Sequence, residues 1–156
     1  MQSVLTSLIA VMGTLLGSSL TYIFQSRASR RAERFARDER LRQERMTVYS
    51  TYAGAVFDLR RKNADQWAAR AEGTSDSLAY KEARAAKTTS RVAAYEGLAK
   101  VMLVTDDEQV IGLARTALEL TRGLYKVESA EELDLRQKGI RQAVQTFVEA
   151  AAVHVK

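Results

Sequence analysis

The chain has 156 residues, with 24 Lys or Arg, 19 Asp or Glu and a formal charge of +5 at pH 7. It contains no cysteine, which excludes disulfide bonds, thiolate metal sites and thiol redox chemistry. It also contains no proline, and Ala, Leu, Arg, Glu and Gln are common, so the composition predicts an all-α fold.

The first 26 residues carry no charged side chain. At about 1.5 Å per residue, a helix of this length exceeds the roughly 30 Å hydrocarbon core of a bilayer. No Lys or Arg precedes the apolar stretch and arginines follow it, which favours a retained transmembrane anchor over a cleaved signal peptide or a buried helix of a soluble protein. Basic residues accumulate on the cytoplasmic flank of a span. We therefore expect a single-pass protein of the cell membrane, with the N-terminus outside and the C-terminal domain cytoplasmic.

Gly13 and Gly17 form a GxxxG pattern within this span. Small side chains let two helix backbones approach closely in lipid, so the pattern predicts membrane-helix packing and a homodimer. Glycine is also common in membrane helices that have no partner. Both interpretations stay open.

The next segment, residues 27–45, carries eight arginines against four carboxylates. It has few large apolar side chains, so we expect a solvated helical stalk. A membrane-surface basic cluster stands at its start and consists of Arg27, Arg30, Arg31 and Arg34. Positive-inside topology accounts for these arginines, and contact with anionic lipid of the bilayer is the second interpretation. The interspersed acids weigh against nucleic acid as a partner, because each reduces the net neutralisation of phosphates.

Residues 46–156 are predicted to form a cytoplasmic helical bundle. The first helix runs from the membrane to Glu72, and the second covers about residues 77–103. Capping-box patterns that begin at Thr105 and Ser129 predict the starts of the third and fourth helices. Short connections favour antiparallel neighbours. The expected fold is thus an N-terminal transmembrane helix that continues through a charged stalk into an antiparallel bundle of about four helices.

Apolar residues spaced three and four apart predict the faces that pack together. The predicted core positions are Met46, Tyr49, Tyr52 or Ala53, Val56, Leu59, Asn63 and Trp67 in the first helix; Leu78, Ala85, Thr89, Val92, Leu98 or Ala99 and Met102 in the second; Val110, Leu113 or Ala114, Ala117, Leu120 or Thr121 and Leu124 in the third; and Leu133, Ile140, Val144, Phe147 and Ala151 in the fourth. The second helix is rich in alanine, so we expect it to pack closely and to bury the least area.

The sequence indicates no catalytic residue, no cofactor site and no metal site. The single histidine, His154, lies near the C-terminus, so a Ser-His-Asp or Cys-His site would have to be built around a frayed end. Helical bundles that bind metals commonly use Glu-x-x-His pairs, and none occurs here. The acids at positions 106–108 are interpreted as caps of a helix N-terminus. We therefore expect a protein that is not an enzyme.

The stretches LIAVMGTLLG, QSRASRRAERFARDERLRQERMTVYSTY and LRR lie within about residues 8–61. Together they resemble KilB-like small membrane proteins of actinomycetes, some of which are associated with the spread or transfer of conjugative plasmids. The resemblance implies a membrane-bound, non-enzymatic component beside a transfer apparatus, and it brings no catalytic residues. No motif in the second half of the chain contributes to it.

The leading hypothesis is a single-pass, membrane-anchored helical interaction protein that assists conjugative plasmid spread or transfer. Its expected partners are the lipid bilayer, a second copy of the chain, and a protein of unknown identity that belongs to the transfer apparatus. The alternative is a chromosomal membrane adaptor of the cell envelope or stress response. A third hypothesis is a small membrane enzyme whose site draws on Tyr, Asp and Arg.

Overall fold

The structure is a computed structural model that describes residues 2–155, with side chains described for residues 32–155. Its helices are α1 (Gln2–Glu72), α2 (Leu78–Val104), α3 (Glu108–Glu119) and α4 (Ala130–Ala152). Two short 3-10 turns, Leu124–Lys126 and Val153–Val155, follow α3 and α4. The described part of the chain contains no β-strand, so the predicted all-α class with four helices is confirmed.

The chain divides into two compact units, residues 1–41 and 42–156. In the first unit, the side chains of residues 32–41 are all exposed, as expected of a solvated helix. Within residues 32–155, no helix is long and apolar enough to cross a bilayer. The side chains of the predicted anchor, residues 1–26, are not among those that the structure describes, so the anchor stays a prediction.

The helices of the second unit pack against each other in antiparallel order. Residues that meet across α1 and α2 run in opposite directions along the two helices: Arg45 with Val104, Asp58 with Ser90, and Gln66 with Tyr80. The contacts of α1 with the last part of the chain follow the same order: Tyr49 and Tyr52 with Phe147, Arg60 with Gln137, and Trp67 with Val127. α1 therefore forms the central element against which α2 and α4 align.

Polar side chains set the starts of the helices. Ser77 caps α2 and Ser129 caps α4, each accepting a hydrogen bond from the amide three residues later. The prediction that Thr105 caps α3 is wrong, because Asp107 is the capping residue. One carboxylate oxygen of Asp107 accepts from the amides of Gln109 (2.8 Å) and Val110 (3.1 Å). Asp is at least as good an N-cap as Thr, and its charge also interacts favourably with the helix dipole.

The core is centred on Tyr52 and Phe147, which are both fully buried. Their rings meet edge to face with centroids 5.2 Å apart, and Tyr49 contacts Phe147 in the same way at 5.9 Å. The Tyr52 hydroxyl donates to the backbone oxygen of Ala114 at 2.6 Å. Burial above all, and Tyr95 in addition, raises the pKa of Tyr52, so its hydroxyl stays protonated. This bond joins α1 to α3 through the middle of the core.

Most predicted core positions in α1, α3 and α4 are confirmed. The buried ones are Tyr49, Tyr52, Ala53, Val56, Leu59 and Asn63 in α1, Val110, Ala114, Ala117, Thr121 and Leu124 in and after α3, and Leu133, Ile140, Val144, Phe147 and Ala151 in α4. Trp67 is half-buried, and its indole N–H donates to Val127 O. Met46 is exposed, contrary to expectation, and of the alternatives Leu120 and Thr121 it is Thr121 that is buried. Gln66, Ile111 and Leu118 are buried in addition.

The predicted face of α2 is wrong. Of its predicted core positions only Leu98 is half-buried, and Leu78, Ala85, Thr89, Val92, Ala99 and Met102 are exposed. The buried residues are the smaller Ser90, Ala94, Gly97 and Val101. The reason is the close approach of α1, since a Cβ atom at position 97 would lie only 3.0 Å from Cδ2 of Tyr52. Small side chains, rather than large apolar ones, make this helix contact possible.

A hydrogen bond between Ser90 and Asp58 links α2 to α1 and makes a testable contribution to stability. The Ser90 hydroxyl and then Arg61, whose guanidinium lies 2.7 Å from Asp58 Oδ1, hold the pKa of Asp58 below its usual range. We expect Ser90→Ala to lower the free energy of unfolding at neutral pH by about 1 kcal/mol, since the Asp58 carboxylate is partly exposed.

This loss should depend on pH. A carboxyl group whose pKa is lowered in the folded state stabilises that state above its unfolded pKa of about 3.9, and loses the effect as pH falls through the folded value. The difference between the wild type and Ser90→Ala should therefore shrink between pH 7 and pH 3 in urea unfolding of the full chain. Thr88→Ala, which removes an exposed bond within α2, is the control with no such pH dependence. Equal differences at both pH values would contradict the assignment.

Candidate interaction site: a basic groove

A groove of about 610 Å³ opens between α1, α2 and the turn that follows α3. Four cations line it: Lys87 and Arg91 from α2, and Arg122 and Lys126 from the turn. Glu96 is the acid among the lining residues, so the lining carries four positive charges minus one, a net +3. We call this feature the basic groove.

The turn after α3 brings two of the cations to the rim. Gly123 adopts the left-handed conformation (φ 73°, ψ 3°), which side chains with a Cβ rarely take. This residue reverses the chain into the 3-10 turn Leu124–Lys126, whose first side chain, Leu124, is fully buried. Arg122 and Lys126 on either side remain exposed. A buried anchor and one glycine thus fix both cations against α2.

The floor of the basic groove is closed by buried side chains. Leu59 and Leu118 are apolar, and the polar Asn63 and Thr121 are only 3% and 4% exposed. The Asn63 amide donates to Leu59 O at 2.9 Å, and the Thr121 hydroxyl donates to Leu118 O at 2.6 Å. Because each polar group bonds to the nearby backbone and both leucines are almost fully buried, the floor is closed and the accessible surface of the basic groove belongs to its rim and walls.

Two tyrosines, Tyr95 and Tyr125, line the basic groove among its cations. The Lys87 ammonium lies 3.8 Å from the centre of the Tyr125 ring, and the Lys126 ammonium lies 5.7 Å from it. Cations over a ring face are attracted by its quadrupole. Burial above all, followed by repulsion from Arg91, Arg84 and Lys126, lowers the pKa of Lys87. Lys87 is thus a partly desolvated ammonium that lies close to other cations of the bundle.

Three of the four rim cations lack an acidic partner. Arg122 pairs with Glu119 at 3.0 Å, and its hydrogen bond with Tyr95 above all raises its pKa. Within residues 32–155, Lys87, Arg91 and Lys126 form no salt bridge with a carboxylate. Some cations elsewhere on the bundle do pair, as Arg136 does with Glu132 and Lys138 with Asp134, whereas others within residues 32–155, such as Arg84 and Lys100, do not. The rim therefore has capacity for an external anion.

The site residues predicted from sequence fall elsewhere. Gly13 and Gly17, and the arginines at positions 27, 30 and 31 of the basic cluster, lie outside residues 32–155, the range whose side chains the structure describes. Arg34, the fourth member of the cluster, is exposed on α1. Sequence reasoning missed the basic groove, because its charges come from separate elements. The available signal was the shared spacing of four residues in the pairs Lys87 with Arg91 and Arg122 with Lys126.

Outside the basic groove, a polar contact joins His154 to Asp107. The His154 Nε2 atom lies 2.9 Å from Asp107 Oδ2, while Oδ1 accepts from the amides that begin α3. The Val110 amide above all, and then the Gln109 amide and the His154 side chain, lower the pKa of Asp107. The interpretation of this acid as a helix cap is confirmed, and the cap also holds the 3-10 turn that follows α4.

Residues 46–155 match the family model of the KilB plasmid transfer protein, which covers more than two thirds of the chain. The chain belongs to the KilB plasmid transfer protein family. It matches no curated protein and no solved structure. The family expected from residues 8–61 is confirmed, although the KilB match covers the helical bundle, including the second half where no motif was found. All four rim cations of the basic groove lie within the matched region.

Proposed function

We propose that this KilB family member is a non-enzymatic interaction protein of conjugative plasmid spread, held at the cell membrane while its bundle contacts a protein of the transfer apparatus. The basic groove is its docking surface. The observation that carries the proposal is the set of rim cations without an acidic partner, Lys87, Arg91 and Lys126, within the region that matches the family. The KilB match favours this role over that of a chromosomal adaptor.

The anchor and its orientation rest on the sequence. The uncharged residues 1–26 followed by arginines support a single span with the N-terminus outside and the bundle in the cytoplasm. Packing through Gly13 and Gly17 would give a homodimer. Contact of the arginines at positions 27, 30, 31 and 34 with anionic lipid would hold the stalk at the membrane surface.

The direction of the pKa shifts at the carboxyl groups supports a role without catalysis. Among residues 32–155, the pKa values that are shifted at carboxyl groups, those of Asp58, Asp107 and Asp134, are all lowered. Their main causes are the Ser90 hydroxyl, the Val110 amide and Lys138. A general acid that works near neutral pH needs the opposite shift, which burial provides. Asp58 contributes to the contact between α1 and α2, Asp107 caps α3, and Asp134 forms an ion pair at the surface.

Topology and groove charge can be tested together in plasmid-bearing cells. A C-terminal reporter should be cytoplasmic, and the full chain should stay with the membrane after a carbonate wash. Lys87→Glu combined with Arg91→Glu should leave both results unchanged and strongly reduce plasmid spread, because the rim changes sign on α2. Lys81→Glu combined with Lys100→Glu makes the same change in charge on α2 outside the basic groove, and should retain plasmid spread.

Three outcomes would contradict the proposal. Release of the full chain by carbonate would remove the anchor. Full plasmid spread by a chain that lacks residues 1–26 and stays in the cytosol would show that the bundle acts without the membrane. Retention of spread by the charge-reversed groove would assign docking to another surface.

A further inference from the structure

We propose that the basic groove binds an acidic segment of a partner protein, in which carboxylates flank an apolar side chain. The inference rests on the proposed function, since it specifies the partner chemistry of the same surface. Charge, spacing and lining each bear on this choice.

The charges of the groove call for several separated anionic groups. Lys87 and Arg91 stand one turn apart on α2, and Arg122 and Lys126 lie on either side of Gly123 in the turn that forms the other wall. Side chains four apart on a helix have Cβ atoms about 6 Å from each other. A compact phosphate is best bound where donors converge on one point. Carboxylates distributed along a peptide fit two walls of spaced cations better.

The uncharged part of the groove calls for an apolar group between those carboxylates. Leu59 and Leu118 form the floor, and Val92, Tyr95 and Tyr125 line the walls. Val92 and Tyr95 are 51% and 46% exposed, which leaves their surface available. Tyr and Arg are among the side chains enriched in the energetic centres of protein interfaces. A leucine or aromatic residue of the partner would cover this surface while its acids pair with the rim.

Two other anionic partners fit less well. The floor residue Asn63 lies eighteen residues after Arg45 on α1, which is about 27 Å of helix, so the groove is remote from the end of the bundle that follows the stalk. This position disfavours a lipid headgroup. Glu96 lines the groove and Glu119 pairs with Arg122, and such acids reduce attraction to the phosphates of nucleic acid.

The test presents the full chain, in detergent micelles, to a displayed library of random twelve-residue peptides. We expect the selected peptides to be rich in Asp and Glu around a Leu, Phe or Trp. Selection on the variant with Lys87→Glu and Arg91→Glu should instead enrich Lys and Arg at the flanking positions. The variant with Lys81→Glu and Lys100→Glu should select the same acidic peptides as the wild type. Selection without a charge bias, or with the same bias on the reversed groove, would overturn the inference.

Titration of the full chain with one selected peptide measures how much each charge contributes to the binding affinity. Replacing its acids by Gln or Asn should weaken binding at least tenfold, as should reversal of Lys87 and Arg91, and high salt should weaken binding to the wild type. Circular dichroism should show the same helix content in the variants. Inorganic phosphate, a duplex DNA oligonucleotide and phosphatidylglycerol in mixed detergent micelles are titrated alongside. Tighter, groove-dependent binding of any of these than of the peptide would overturn the choice of partner.

The inference and the proposed function fail in different ways. If the acidic peptides do not bind, while reversal of Lys87 and Arg91 still abolishes plasmid spread from a membrane-bound chain, the partner chemistry is wrong and the adaptor role stands. If the peptides bind as expected, while carbonate releases the chain, the anchor fails and the peptide site stands.

Discussion

Phe147→Ala should lower the free energy of unfolding of the bundle by about 3 to 5 kcal/mol, the usual loss when a buried phenylalanine is truncated. Phe147 is fully buried and its ring meets those of Tyr49 and Tyr52 edge to face. The substitution leaves a cavity against both tyrosines. Domains of this size are stable by about 5 to 15 kcal/mol, so the loss is a large fraction of the total.

Urea unfolding of the full chain, followed by circular dichroism, measures this change as a lower midpoint. Phe35→Ala is the matched control, since Phe35 is 75% exposed on α1 within the first unit. Its removal should change the midpoint of bundle unfolding very little. A loss below about 1 kcal/mol for Phe147→Ala would mean that the core is not packed around this ring.

Gly97→Leu should destabilise the bundle by about 1 to 3 kcal/mol or more, because it overpacks the contact between α1 and α2. A Cβ atom at position 97 would already lie 3.0 Å from Cδ2 and 3.4 Å from Cα of Tyr52. The Tyr52 ring has little freedom to move, since its hydroxyl is bonded to Ala114 O and its ring packs on Phe147. The remaining atoms of leucine would therefore push the two helices apart.

The control for this effect is Gly139→Leu in α4, where a Cβ atom would meet nothing within 4 Å. Leucine has the better helix propensity, so this variant should gain up to about 1 kcal/mol. The same replacement thus changes stability in opposite directions at two helical glycines. Similar midpoints for both variants in urea would show that Gly97 is not a close helix contact.

The sequence predicts those elements whose signals are local and strong. The full buried face of α4 follows from large apolar residues at helical spacing, from Leu133 to Ala151. The end of α1 at Glu72 and the cap at Ser129 also follow from local chemistry. These features depend on residues near each other in the chain, so periodicity and capping rules are sufficient to find them.

The features that the sequence does not predict correctly depend on contacts between residues that are distant in the chain. Gln66 is buried because Tyr80 on α2 accepts a hydrogen bond from its amide at 3.0 Å, a pairing that no apolar pattern indicates. The buried face of α2 is set by the space that Tyr52 leaves beside Gly97. The basic groove likewise forms only when the turn at Gly123 is folded against α2. From the sequence alone, its cations cannot be distinguished from ordinary solvated charges.

The small core face of α2 has a dynamic consequence. This helix buries only Ser90, Ala94, Gly97 and Val101, whereas α4 buries Leu133, Ile140 and Phe147 among others. Local opening costs least where little apolar surface is buried, so amide hydrogens of α2 should exchange with solvent before those of α4. Because α2 carries one wall of the basic groove, an occupant that bridges Lys87 and Lys126 would fasten this helix to the turn. Slower exchange in α2 would then report occupancy, even where the average coordinates stay the same.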